Sequence, residues 1–345
     1  MRQTCGRVLW ICGFLGVLVT QGCLRRKESV QVSADGTVTI QLEYSGKEDV
    51  WNTLDALPSE QAGWKLATTT EKKDGEEQKV VRSVRRFSAD ERLPGTFAAP
   101  NDDHRDLVLH FPTTVQREKR GTNTYYHFRR VYAPRTWAYI QIWHDQTFDE
   151  DVKKIAEKDL GELSREDRAR LVGAFAEFES AKQVEFAKTA WEYAFPTAPQ
   201  DHWLLARRAL LDSYEEIDYE KIVNLIEDAP SDQRDGLLAA EADRILRRGL
   251  ERMIDSARRL GHDDEKLAGF RREIDRAKRA YDITDQLGGQ IFEIEVQMPG
   301  RIVAHNADKS DGDGAVTWEF SGEAFRDRPH EILVTSCVEG GEDRK

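Results

Sequence analysis

The order of residue patterns constrains this chain more than any single motif. Residues 149–290 carry helical periodicity, and the segments on both sides read as β-strands. Four short strands beyond residue 290 form too small a sheet to stand alone. They therefore complete a sheet begun by the amino-terminal strands, and the helices become an insertion. The sequence thus predicts an α+β fold, with an antiparallel sheet built from the N-terminal and C-terminal segments and a helical insertion between them.

Local signals set the elements. Ser29–Ser33 and Val38–Tyr44 flank Ala34-Asp35-Gly36, a hairpin turn. A short helix is expected around Glu48–Ala56, ending at Pro58. Trp64–Glu71 and Lys79–Phe87 flank a second Asp-Gly turn at Asp74-Gly75. Leu107–Lys119 and Thr124–Tyr132 flank Arg120-Gly121, and Trp137–Trp143 reads as a further strand.

In the middle, Ser164-Arg-Glu-Asp167 is a capping box that opens a helix running to Phe195, where Pro196 stops it. Gln200–Tyr214 and Asp218–Glu227 are shorter amphipathic pieces. Asp232–Leu260 ends at Gly261, and a partner helix from Asp264 ends at Gly288-Gly289. Those two helices are expected to pair as an antiparallel hairpin of about 40 Å. Phe292–Met298, Arg301–His305, Ala315–Phe320 and Glu331–Val338 alternate as strands, with Pro299-Gly300 and Asp311–Gly314 at the bends.

The opening residues have the parts of a secretory signal. Arg2 and Arg7 precede Val8–Val19, an apolar run of 12 residues, short of the roughly 20 that a membrane span requires. The run ends in Val19-Thr-Gln-Gly-Cys23, which resembles the bacterial lipobox, whose cysteine is acylated before the signal is removed. Lipid carried on Cys23, palmitate among it, then supplies the several chains that stable anchoring needs. Leu24 after the cysteine favours the outer membrane by the usual sorting pattern, so the expected location is the periplasmic face of that membrane.

The domain expectation is a signal peptide at 1–22, a β-rich domain from 23–148 plus 291–338, a helical cap at 149–290, and a charged tail at 339–345. Removing the signal leaves 323 residues with a formal charge of −14. An acidic surface of that kind disfavours nucleic acid as a partner. Of four cysteines, Cys5 and Cys12 leave with the signal and Cys23 is the lipid site. Cys337 is left alone in an apolar strand, which reads as a buried structural thiol and removes any paired-cysteine metal site.

The start of the mature chain, Cys23 with basic residues and then Val30-Gln-Val-Ser-Ala-Asp35-Gly36-Thr-Val-Thr-Ile40, resembles LppM-type bacterial lipoproteins. So does the end: Val296-Gln-Met-Pro299-Gly300-Arg-Ile-Val-Ala-His-Asn306, followed by Val316-Thr-Trp318-Glu-Phe320. The resemblance covers about 50 residues. It implies a small α+β envelope domain whose halves frame a variable middle, and it implies no catalytic residues. Related chains often end in a membrane helix, where this sequence has a charged stretch.

No constellation carries recognisable chemistry. Asp308, Asp311 and Asp313 lack the third ligand position and the glutamate of a calcium loop. The eight histidines show no zinc spacing, although His110, His127 and His144 fall on neighbouring strands. There is no Gly-x-Ser-x-Gly elbow and no phosphate loop, so neither a cofactor nor a metal is expected. Arg82, Arg85, Arg86, Arg129 and Arg130 read as solvated residues on strand edges. Aromatics crowd residues 125–143, and alternation places Tyr126, Trp137, Tyr139 and Trp143 as a candidate ligand-binding face.

The function expected is that of a lipid-anchored envelope protein, a non-enzymatic binding or structural lipoprotein. Its partners are the membrane, through the lipid, and an envelope protein or lipid. The alternative is a lipid- or glycan-binding module using the aromatic face; a hydrolase is the third.

Overall fold

In the computed structural model the described residues are 24–46, 56–73, 76–98, 105–136, 146–156, 158, 162–311 and 314–340. The fold is mixed α+β, with the helices between N-terminal and C-terminal strands. The described residues divide into two compact units: those within 24–136 together with 282–340, rich in β-strand, and those within 146–281, mainly helical.

The β unit holds two sheets. Its strands are β1 (Arg25–Val32), β2 (Val38–Gly46), β3 (Lys65–Lys73), β4 (Glu76–Phe87), β5 (Thr113–Arg120) and β6 (Asn123–Tyr132) from the first half. The second half adds β7 (Ile291–Gln297), β8 (Arg301–His305), β9 (Lys309–Ser310), β10 (Ala315–Ser321) and β11 (His330–Val338). The larger sheet has the order β3-β4-β2-β1-β7-β10-β9, and the smaller one β5-β6-β11-β8.

The carboxy-terminal strands are thus shared between two sheets, where one had been expected. The joint between the halves also differs from expectation, because β1 and β7 run parallel, with Arg25 opposite Ile291 and Val30 opposite Val296. A parallel pair needs a long crossover between its strands, and the helical segment supplies it. The strand expected from Leu107 starts only at Thr113. Pro112 lacks an N–H for the ladder, and Phe111 donates its own to Gly95 instead, at 2.7 Å. The helix expected at 48–56 and the strand expected at Trp137–Trp143 lie outside the described residues, apart from Ala56.

Alternation decides what fills the space between the sheets. Val30, Ile40, Phe292, Ile294 and Val296 point inward from the larger sheet; Phe128, Tyr132, Ile332 and Val334 point inward from the smaller. Tyr132 is a hub, with ring centroids 5.9 Å from Phe292, 5.6 Å from Phe320 and 5.8 Å from Phe325.

The helical unit contains α1 (Glu150–Ala156), α2 (Arg165–Ala194), α3 (Gln200–Glu215), α4 (Tyr219–Asp228), α5 (Ser231–Arg259) and the first part of α6 (Asp264–Gly289). The Ser164 hydroxyl accepts from the Asp167 N–H at 3.1 Å, as the capping box predicts. Phe175 and Phe178 of α2 meet Phe148, while Phe186 and Trp191 meet Tyr281 and Phe270 of α6.

Each of the last two helices packs on an earlier one. Helix α5 makes its close backbone approach to α3, where a Cβ on Gly249 would stand 2.9 Å from Leu210 Cδ1. Helix α6 lays its aromatic residues on α2. No helix among the described residues is long and apolar enough to cross a membrane.

Candidate functional site

Two groups of polar side chains stand out in the β unit, one sealed inside and one open. Inside, Glu28 of β1 is wholly buried between two arginines. Its Oε1 lies 2.7 Å from Arg130 Nη2 of β6, and its Oε2 accepts from Arg26 Nη2 at 3.0 Å. Arg130 also donates to Thr113 Oγ1 at 2.8 Å and to the Tyr132 hydroxyl at 3.4 Å.

Two guanidiniums against one carboxylate leave a buried excess of one positive charge. Ring faces offset part of that cost: Arg26 lies 4.9 Å from the Phe97 centroid and 5.1 Å from Phe111, and Arg130 lies 5.3 Å from Phe111. Burial alone would raise the Glu28 carboxyl, but Arg130 and then Arg26 outweigh it and hold the group below its usual value. Burial pushes the Tyr132 phenol up, so it stays neutral. The cluster is closed to solvent and reads as a fastener between the sheets.

Arg130 does not sit where its sequence pattern suggests. Arg130 was expected at a solvated strand edge, but β6 is an inner strand and Arg130 is fully buried. β4 is likewise an inner strand, so Arg82 and Arg86 are not at an edge either. A signal for the inward residues does exist in the sequence. Arg26 and Glu28 alternate in phase with Val30 and Val32, whose face is apolar.

The open group lies on the opposite face of the larger sheet, in a shallow depression of about 650 Å³. Two rows of side chains cross it, one residue per strand. The first row is Ala67, Arg82, Glu43, Lys27 and Glu293. Its charges are spent on each other: Arg82 Nε donates to Glu43 at 2.7 Å and its Nη1 to Glu71 at 2.8 Å, and Lys27 lies 3.4 Å from Glu293. The second row is Lys65, Val84, Gln41, Ser29, Glu295 and Thr317. Among the described residues the polar side chains of this row make no hydrogen bond or ion pair with one another or with their surroundings.

The aromatic face expected from the sequence is represented among the described residues by Tyr126 alone. That side chain is buried, and its hydroxyl donates to the Ala34 carbonyl at 2.5 Å, tying β6 to the first hairpin turn. Trp137, Tyr139 and Trp143 lie outside the described residues, as do the lipid-site Cys23, His144 and Asp313. His110 bonds the Arg105 carbonyl and His127 bonds Thr335 Oγ1, each with its own local partner. Asp308 and Asp311 accept from the backbone N–H groups of Glu319 and Ala315. Cys337 is a buried free thiol on β11.

The two residues that carry the carboxy-terminal resemblance meet each other. Trp318 Nε1 donates to Asn306 Oδ1 at 3.1 Å, and the same oxygen accepts from the Leu333 N–H at 2.9 Å. Asn306 therefore clamps β10 of one sheet to β11 of the other. No family model matches the chain, and no curated protein does. Among solved structures, the folded domain of Mycobacterium tuberculosis LppM, determined by NMR, aligns over 93% of this chain and 94% of that one. The identity is 11% and the TM-score 0.29.

In the helical unit, His202 at the start of α3 and His262 in the turn after α5 stand with Nδ1 and Nε2 3.1 Å apart. Trp191 and Phe195 pack on the His262 ring, and burial followed by the His202 charge holds that imidazole below its usual value. Among the described residues no group of three or more metal-ligating side chains comes together.

Proposed function

We propose that this chain is a lipid-anchored envelope protein, acylated at Cys23, and that it binds a partner through the open face of its larger sheet. The observation that carries the reading is the two-residue step from Cys23 to the first strand. Leu24 is buried, its carbonyl accepts from the Ile291 N–H at 3.0 Å, and β1 begins at Arg25. Two residues reach about 7 Å at full extension. Acyl chains on Cys23 would therefore hold the sheet close to the bilayer with no linker.

The supports for anchoring are the charged start, the 12-residue apolar run and the lipobox-like Gly22-Cys23. Leu24 at the sorting position favours the periplasmic face of the outer membrane. The resemblance to LppM-type lipoproteins points the same way. The unspent row on the shallow open face supports a role in binding.

Mass spectrometry of the mature amino terminus, beside membrane fractionation of wild type and Cys23→Ser, tests the anchor. The expected result is an acylated Cys23 in the membrane pellet and a variant released from it. A wild-type protein that starts at Met1, or carries a bare thiol and stays in the soluble fraction, would overturn the reading.

A further inference from the structure

The open face has an order of its own. Its unspent row begins at Lys65 on β3, passes Val84, Gln41 and Ser29, and reaches Glu295 on β7 and Thr317 on β10. Lys65, Gln41 and Glu295 are exposed, and Ser29 and Thr317 are half-buried. A free cation thus stands at one end, a free anion near the other, and neutral hydrogen-bonding groups between them. From Lys65 to Glu295 is four strand intervals, about 19 Å at about 4.8 Å each.

We propose that this row binds an extended peptide segment of a partner protein, laid across the strands, with an acidic and a basic group about six residues apart. Extended chain advances about 3.3 Å per residue, so about six residues span the distance from Lys65 to Glu295. The acidic group pairs with Lys65 and the basic one with Glu295, while Gln41 and Ser29 meet the peptide's backbone donors and acceptors. The paired charges of the neighbouring row, Arg82 with Glu43 and Lys27 with Glu293, form a wall that offers little to either end. The inference deepens the binding role proposed above and rests on it.

Other ligand classes fit this face less well. No aromatic ring lines the depression to stack on a sugar. Its exposed bases Lys27, Lys65 and Arg82 are matched by the acids Glu43, Glu293 and Glu295, so anionic headgroups gain nothing.

The test uses the full chain and fluorescein-labelled, end-capped peptides of Ser, Thr and Gly carrying one Asp and one Lys. The spacing between those two residues is varied in steps on both sides of six. Anisotropy is expected to show the tightest binding at six, about fivefold tighter than at two, and weakening with salt. Lys65→Glu should move the preference to a peptide with Lys at both positions, and Glu295→Lys to one with Asp at both. A flat spacing series, or single reversals without effect, overturns the proposal.

A photo-crosslinking residue in place of Ser29, used in cells, separates the two readings. A protein adduct beside a flat peptide series keeps the binding face and ends the peptide assignment, as does an adduct with lipid or glycan. The absence of any adduct removes the binding face itself.

Discussion

The Glu28 carboxylate and the Arg130 guanidinium meet at 2.7 Å with both side chains fully buried, one on each sheet of the β unit. Arg26 adds a second cation to the same carboxylate. Removing one partner from such a cluster is costly because the remaining charge stays in the interior without compensation. Glu28→Gln keeps the shape and leaves two buried cations, so it should destabilise the β unit by about 3–5 kcal/mol. Urea denaturation followed by tryptophan fluorescence measures this, and a loss below about 1 kcal/mol would show that the cluster is not held as described.

The same carboxyl sets an acid limit. Its folded-state value lies below the usual 4.5, so the stabilisation is complete above that pH and drains away as pH falls through the folded value. Wild type should lose stability steeply as it is acidified from pH 4.5 downward, and Glu28→Gln should follow a flatter curve. Parallel curves for the two proteins would count against the ion pair.

Tyr132 separates packing from hydrogen bonding. It is wholly buried among Phe111, Phe292, Phe320 and Phe325. Tyr132→Ala should cost about 3–5 kcal/mol through the cavity it leaves. Tyr132→Phe keeps the rings together and forfeits only the long contact with Arg130, so its cost should stay under about 1.5 kcal/mol. Equal costs in the two variants would assign the stability to the hydroxyl.

Gly300 tests the Pro-Gly turn. Its φ is +77°, and a Cβ there would stand 2.3 Å from the Cys337 carbonyl oxygen. Gly121 also has a positive φ, +62°, with nothing within 4 Å of the added atom. Gly121→Ala should therefore cost about 1 kcal/mol, the backbone penalty alone. Gly300→Ala must also displace β11 and should cost about 3 kcal/mol. Thermal melts of the pair provide the comparison, and similar shifts would place the turn differently.

The histidine pair predicts a second pH response, confined to the helical unit. His262 is held below its usual 6.5, so the unfolded chain takes up a proton more readily than the folded one. Stability is present above 6.5 and falls as the pH drops below it. Asp263 opposes the shift, while His202 and Lys266 reinforce it. His262→Gln should flatten the dependence of helical content on pH between 7 and 5, read by circular dichroism; an unchanged profile would exclude the pair as its source.

Local chemistry made much of the architecture legible. Arg301–His305 is the strand that alternation predicts, and the helix opening after Ser164 and closing before Pro196 follows its capping residues. Both depend on neighbours a few positions away, which is the range over which turn chemistry and periodicity act. The α+β order of strands, helices and strands was readable for the same reason.

What sequence alone could not supply were partners distant along the chain. Arg26 looked like one of three basic residues after a signal, and Arg130 like one of a solvated pair. Their burial depends on Glu28 lying between them, which follows only when β1 and β6 face each other across two sheets. The parallel seating of β1 on β7, the pairing of α5 with α3, and the row from Lys65 to Glu295 have the same origin. Alternation says which side chains share a face of one strand. Which strands become neighbours is decided by the burial of whole apolar faces, and only the folded chain records that choice.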